Sequence, residues 1–410
     1  MINRITFIFI LGLVVRPLAI QAQHLDRYLI YAAENNAGLK AQYAEFEASM
    51  QRIDQVNVLS NPTFSFGYFI SPVETRVGPQ RMKFSLSQMF PWFGTLDAKK
   101  DIATQLAESK YKEFEAYKLR VFRDVKNAYF PLLELKDHIR LQQENLTLLT
   151  TYKELANIQF ANGKGTMVDV LRIDVRMEDV QSEIQLLNEK MIPLQVHFNR
   201  LLNRASGAVV ELDSLDNSSG NRSFSVDSVF TNNPTIASFD LKMNAVSKQG
   251  ELAKLSGLPS IGLGLDYVVV SKRNIATVAD DGKDILMPMA TISLPIFRSQ
   301  YKAAINEASH LKNALELNKQ QYENNQNAEF AQAEYRLSAA LESMRLYKRE
   351  IKTQEKILDL LYTSYSTTGN DFIELIRAQQ LLIKYKMQLS SEMKNYNIAI
   401  SQLEYLTNKE

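Results

Sequence analysis

Four short stretches of the chain alternate large apolar residues with small or polar ones. Phe64, Phe66, Tyr68 and Ile70 interleave with Ser65 and Gly67, and Phe84 and Leu86 interleave with Lys83, Ser85 and Ser87. Ile261, Leu263, Leu265 and Tyr267 oppose Gly262, Gly264 and Asp266, and Ala290, Ile292 and Leu294 oppose Thr291 and Ser293. A period of two residues predicts strands over about 62–70, 82–90, 260–270 and 287–295, each with one greasy face and one polar face. The loops Ser71–Arg81 and Ser271–Ile285 then join the strands of each pair.

The period changes to seven elsewhere. Phe114, Val121, Ala128, Leu135, Gln142 and Leu149 are interleaved with Val125, Leu132, Ile139 and Leu146. Ile173, Val180, Leu187, Leu194 and Leu201 are interleaved with Met177, Ile184, Met191 and Phe198 in the same way. Such a 3.5-residue spacing predicts long helices packed in a left-handed supercoil. A helix from about Thr95 to Phe160 spans roughly 100 Å at 1.5 Å per residue, with Pro131 expected to kink it or offset its ladder.

The plan occurs twice. "NNAGL" at Asn35 is matched by "NNPTI" at Asn232, and "FANGKGTMVDVLRI" from Phe160 by "YSTTGNDFIELIRA" from Tyr365. The expected organisation is a first repeat over 23–210, a polar linker over 211–225 and a second repeat over 226–410. Each repeat comprises a helix, two strands and coiled-coil helices, over about 95–203 in the first and 298–408 in the second. At the join of strand and long helix, Pro91 is positioned to end ladder pairing, with Trp92 and Phe93 beside it; Pro295 and Phe297 hold the same places in the second repeat.

Composition narrows the classes. Lys+Arg (47) and Asp+Glu (46) nearly cancel, which argues against a nucleic-acid partner. The cysteine count of 0 excludes disulfides, thiolate metal sites and a cysteine-linked lipid anchor. Residues 1–22, with Arg4 before the apolar run Ile5–Val15 and Ala22 before Gln23, read as a signal peptide too short to span a membrane. Any one hairpin could simply pack on a helix. Four greasy-faced strands in an exported chain instead fit a lipid-facing barrel, yet four cannot close one, so several copies must complete it.

With its duplicated plan, its "NNP" opening, its paired Pro91 and Pro295 junctions and its glycine turns before "VDVLRI" and "IELIRA", the chain resembles the TolC-like outer-membrane efflux proteins over nearly its whole mature length. The resemblance implies an α+β membrane protein. Three copies would form a 12-stranded outer-membrane β-barrel continued by a 12-helix periplasmic α-barrel. It further implies a passive exit duct of a tripartite efflux or secretion system, in a Gram-negative outer membrane. The partners it implies are two further copies in a homotrimer, a periplasmic adaptor, an inner-membrane pump of the RND type and outer-membrane lipid. No enzyme activity and no cofactor are expected. The competing reading is a structural or adhesive coiled-coil surface protein, which needs neither matched hairpins nor returning helices of equal length.

Candidate sites follow from the same frame. Gly163, Lys164, Gly165, Gly369 and Asn370 form the turns between paired helices, which the resemblance makes the adaptor-contacting tips. Asp169, Asp174, Asp371 and Glu374, with Arg172 and Arg377 among them, lie early in the returning helices. Helix capping accounts for such acids; the resemblance makes them gate residues ringing a lumen. His24, His138, His197 and His310 are scattered without metal-ligand spacing. Met82, Met89, Met287 and Met289 read as packing or belt filler.

Overall fold

The computed structural model describes residues 24–213, 224–273 and 279–409. The signal-peptide segment 1–22 and most of the linker expected over 211–225 lie outside the described residues. The elements are α1 (His24–Asn35), α2 (Ala37–Val56), β1 (Thr63–Thr75), β2 (Gly78–Phe90), α3 (Thr95–Ala161) and α4 (Met167–Leu201). After them come α5 (Asp227–Phe230), α6 (Pro234–Ser256), β3 (Ser260–Val270), β4 (Ile285–Ser293), α7 (Ser299–Thr368) and α8 (Phe372–Leu406). The order helix, two strands, long helix, helix therefore runs through residues 37–201 and again through 234–406.

The long helices draw on the heptad seams. Val121, Val125, Ala128, Leu132, Leu135 and Leu149 of α3 are buried, as are Ile173, Val180 and Phe198 of α4. α3 has 67 residues, roughly 100 Å at 1.5 Å per residue. It is continuous through Pro131. Tyr129, Leu132 and Leu133 around it sit in a core with Phe198, Leu202, Leu39 and Ala32. Asn36 separates α1 from α2, its side chain accepting from the Leu39 N–H at 3.1 Å and ending what the sequence suggested was one helix.

The strands form one antiparallel sheet in the order β1-β2-β3-β4. Its register settles the faces. Phe64 pairs with Leu86 and Phe66 with Phe84; Phe84 pairs onward with Tyr267, Leu86 with Leu265, and Ile261 with Ile292. Phe64, Phe66, Phe84, Leu86, Leu263, Leu265 and Ile292 thus share one face, and nothing among the described residues covers it: Phe64, Leu86, Leu263 and Ile292 are each more than half exposed.

The first hairpin corrects the expected loop. Ser71–Arg81 is not a loop; the strands continue to Thr75 and resume at Gly78, with a tight turn between. A register shift between Tyr68 and Val73 absorbs Pro72, whose missing N–H a regular ladder would not accommodate. The last strand begins at Ile285 and ends at Ser293, two residues earlier than the alternation suggested. Among the described residues no helix is long and apolar enough to cross a membrane.

Candidate functional site

Two places combine exposure with specific geometry: the sheet with its junctions, and the paired turns at the far ends of the long helices.

On the small-side-chain face of the sheet, Lys83 Nζ lies 2.5 Å from Asp266 Oδ2, and Asp266 is fully covered. Met89, Met287 and Met289 share this face, while Met82 lies on the greasy one. Met89 lies over Gly262 and Met289 over Gly264, so two of these methionines fill the space the glycines leave. β2 ends at Phe90, directly before Pro91, and Gly94 turns the chain into α3 with φ of 80°. Phe93 projects from this turn 82% exposed, with the Trp92 ring 6.1 Å away. In the second repeat Pro295 follows β4, and Ile296 and Phe297 are exposed in the same manner.

At the other end, α3 and α4 meet in the turn Asn162–Thr166. Gly163 takes φ of 68°, and the N–H groups of Lys164 and Gly165 both donate to the Gln159 carbonyl, closing the last turn of α3. Thr166 and Asp169 then form a reciprocal capping box: the Asp169 N–H donates to Thr166 Oγ1 at 3.3 Å, and the Thr166 N–H to Asp169 Oδ2 at 3.1 Å. Gly369, with φ of 76°, caps α7, and its N–H donates to the Tyr365 carbonyl at 2.9 Å. Asp371 begins α8 in the left-handed region and accepts from Ser364 Oγ at 3.4 Å.

The two turns touch. Gln159 Nε2 donates to the Ser366 carbonyl at 2.7 Å, and Lys164 Nζ to the Thr367 carbonyl at 3.2 Å. A side chain at Gly369 would strike the Lys164 carbonyl. Beneath them Tyr365 is fully buried with its ring 5.1 Å from Phe372. Burial, with the Asp169 carboxylate second, pushes the Tyr365 hydroxyl up to about 12.

Of the acids and arginines singled out in the sequence, Asp169 is committed to its cap and nearly buried. Asp174 pairs with Lys153 of α3 at 2.5 Å, and Glu374 with Arg377 at 2.7 Å. Arg172 has no ion-pair partner among the described residues. It lines an open groove of about 560 Å³ between α4 and α8, with Leu171, Val175, Ile373 and Arg377. Within one chain, therefore, the arginines do not bridge the acids of the neighbouring turn.

Sequence reasoning missed a chain of buried amides. Gln379 Nε2 donates to Asn145 Oδ1, Asn145 Nδ2 to Gln142 Oε1 (both 3.1 Å), and Gln142 Nε2 to Glu183 Oε2 at 2.8 Å. These bonds tie α8, α3 and α4 together. The signal was Gln142 standing in an otherwise apolar heptad seam.

Residues 29–203 match the outer membrane efflux protein family. The fold of the chain superimposes on CusC with a TM-score of 0.77 at 14% identity, over 94% of this chain and 92% of that one. Over residues 29–203 the chain is similar to the outer membrane efflux proteins, and over 94% of its length it has the fold of CusC. VceC of Vibrio cholerae, an outer membrane protein, superimposes with a TM-score of 0.75 at 15% identity over 94% and 96% of the two chains. The open state of the MtrE outer membrane channel of Neisseria gonorrhoeae does so with a TM-score of 0.75 at 15% identity, over 94% and 89%. In sequence, the chain is 23% identical over 190 residues to a pyoverdine export outer membrane protein, OpmQ, of Pseudomonas putida. That stretch is 45% of this chain and covers only 40% of the relative.

Proposed function

We propose that this protein is an outer membrane efflux protein, the exit duct of a tripartite efflux or secretion system, passively conducting what an inner-membrane pump delivers. The observation that carries the reading is the sheet: four strands with two open edges and an uncovered apolar face. Open edges are not tolerated in hydrocarbon. Pairing β4 of one copy with β1 of the next satisfies both edges, and three copies give a closed twelve-stranded barrel. The greasy face then meets lipid, and the face that carries Lys83, Asp266 and the serines lines the interior. At Pro91 and Pro295 each hairpin passes into the long helices, which form the periplasmic tunnel, and the exposed aromatics there take interfacial positions.

In this arrangement residues 1–22 direct export and are removed. The far turns, with Gly163, Lys164, Gly165, Gly369 and Asn370, contact a periplasmic adaptor that couples the duct to a pump of the RND type. The groove beside Arg172, lined by exposed Leu171 and Val175, extends that contact surface. The acids and arginines near the tips act between copies, because most of their partners within one chain are partly exposed and weak.

Detergent-extracted protein should run as a heat-labile trimer and give discrete single-channel conductance in planar bilayers. A monomer without conductance would defeat the proposal and favour an adhesive stalk.

A further inference from the structure

We propose that the junction of the second repeat binds the phosphate of an anionic glycerophospholipid at the inner edge of the membrane. The inference rests on the reading that the apolar sheet face lies in lipid. α6 has Lys254 in its last turn, and α7 opens with Arg298 at its cap and Lys302 one turn further on. The Tyr301 ring stands 3.4 Å from where a Gly257 side chain would begin, which sets the end of α6 against the start of α7.

The two segments that carry these cations hold no acid of their own; Asp101 of the adjoining α3 lies 3.8 Å from Lys248, further back on α6. Between Glu251 and Asp266, and between Asp284 and Glu307, the sequence contains no acidic residue. None of the three cations has an ion-pair partner among the described residues. Arg298 also stands where the helix dipole disfavours positive charge. The first repeat does it differently: Lys99 and Lys100 are interspersed with Asp97 and Asp101.

The cations adjoin apolar surface continuous with the greasy sheet. Leu294, Ile296 and Phe297 are 63%, 72% and 77% exposed, and Leu258 is 39% exposed. A free anion has no use for that surface. A phospholipid does, since its phosphate meets the cations while its acyl chains lie along the side chains above.

Native mass spectrometry of the full-length, detergent-extracted protein, titrated in turn with phosphatidylglycerol, phosphatidylcholine and inorganic phosphate, tests this. Phosphatidylglycerol should be retained in preference to phosphatidylcholine, and inorganic phosphate should not displace it. Each of Lys254→Gln, Arg298→Gln and Lys302→Gln should weaken that retention roughly fivefold, and the triple variant should bring it to the phosphatidylcholine level. Lys99→Gln with Lys100→Gln should leave it unchanged. Equal retention of both lipids, persistence of the preference in the triple variant, or displacement by inorganic phosphate would overturn the proposal. Flotation with phosphatidylcholine vesicles keeps the underlying reading separate. A wild-type protein that floats but shows no headgroup preference refutes only the lipid site, whereas one that does not float refutes the lipid-facing sheet. The single Arg298→Gln variant decides the matter if the triple variant does not float.

Discussion

An arginine at Leu265 tests the orientation of the sheet most directly. Leu265 is the middle residue of β3, faces the apolar side between Leu86 and Pro288, and is 45% exposed in a single chain. In lipid that exposed area contacts acyl chains near the midplane, where an arginine costs ~2–4 kcal/mol. That is roughly 30- to 700-fold in the folding equilibrium of each chain, and a trimer carries the substitution three times. Thr291→Arg is the matched control: it adds the same charge to the neighbouring strand, opposite Gly262, on the small-side-chain face. There the guanidinium reaches water and should cost little. Urea titration of protein folded into phospholipid vesicles gives the two free energies, and the heat-labile trimer band gives assembly. Leu265→Arg should lower both sharply while Thr291→Arg stays near wild type. Equal losses, or a larger loss at Thr291, would refute the assignment of faces.

Three further outcomes follow from the helical part. The Tyr365 hydroxyl is buried without a hydrogen-bond partner among the described residues, so Tyr365→Phe should raise the urea midpoint, by about 1 kcal/mol in stability; a clear loss would reveal an interaction of the hydroxyl. Burial works to raise the Glu113 carboxyl, but Lys242 and Lys110 outweigh it and hold the group below its usual value. Its contribution is therefore present above the unfolded pKa and lost as pH falls through the folded one. Glu113→Gln should thus be destabilised by up to about 1 kcal/mol at pH 7 and indistinguishable from wild type in acid well below about pH 4, as thermal melts across pH would show. Replacing Arg172 and Arg377 by Ser should raise single-channel conductance, and Asp371→Asn should reduce cation preference; unchanged traces in all of these would place the gate elsewhere along the tunnel.

How much of this was legible in the sequence varied with the range of the interaction. The sheet faces were readable because Phe64, Leu86, Leu265 and Ile292 obey a strict two-residue period, and pairing only brings together residues already committed to one side. The long helices were readable from their heptads. The first hairpin was misjudged because Pro72, Gly78 and Pro79 carry turn chemistry, yet a bulge and the strand end accommodate them. Pro131 reads in sequence as a local breaker, and the core packing of Tyr129, Leu132 and Leu133 around it is visible only in the fold. At the tips, the glycines were legible from local backbone need alone. The partner of Asp174 was not, because Lys153 belongs to another helix and only the fold brings them together.

The bonds that join the two turns have a mechanical consequence. Gln159 and Lys164 of one helical pair hold the last carbonyls of the other, and Gly369 is pressed against the Lys164 backbone. A swing of either pair alone would have to break these bonds. In the proposed trimer the aperture would then behave as a shutter of three stiff blades instead of six independent ones. A pull applied by a partner to either turn of a blade would move the whole blade, so docking at one turn per chain would be enough to open it.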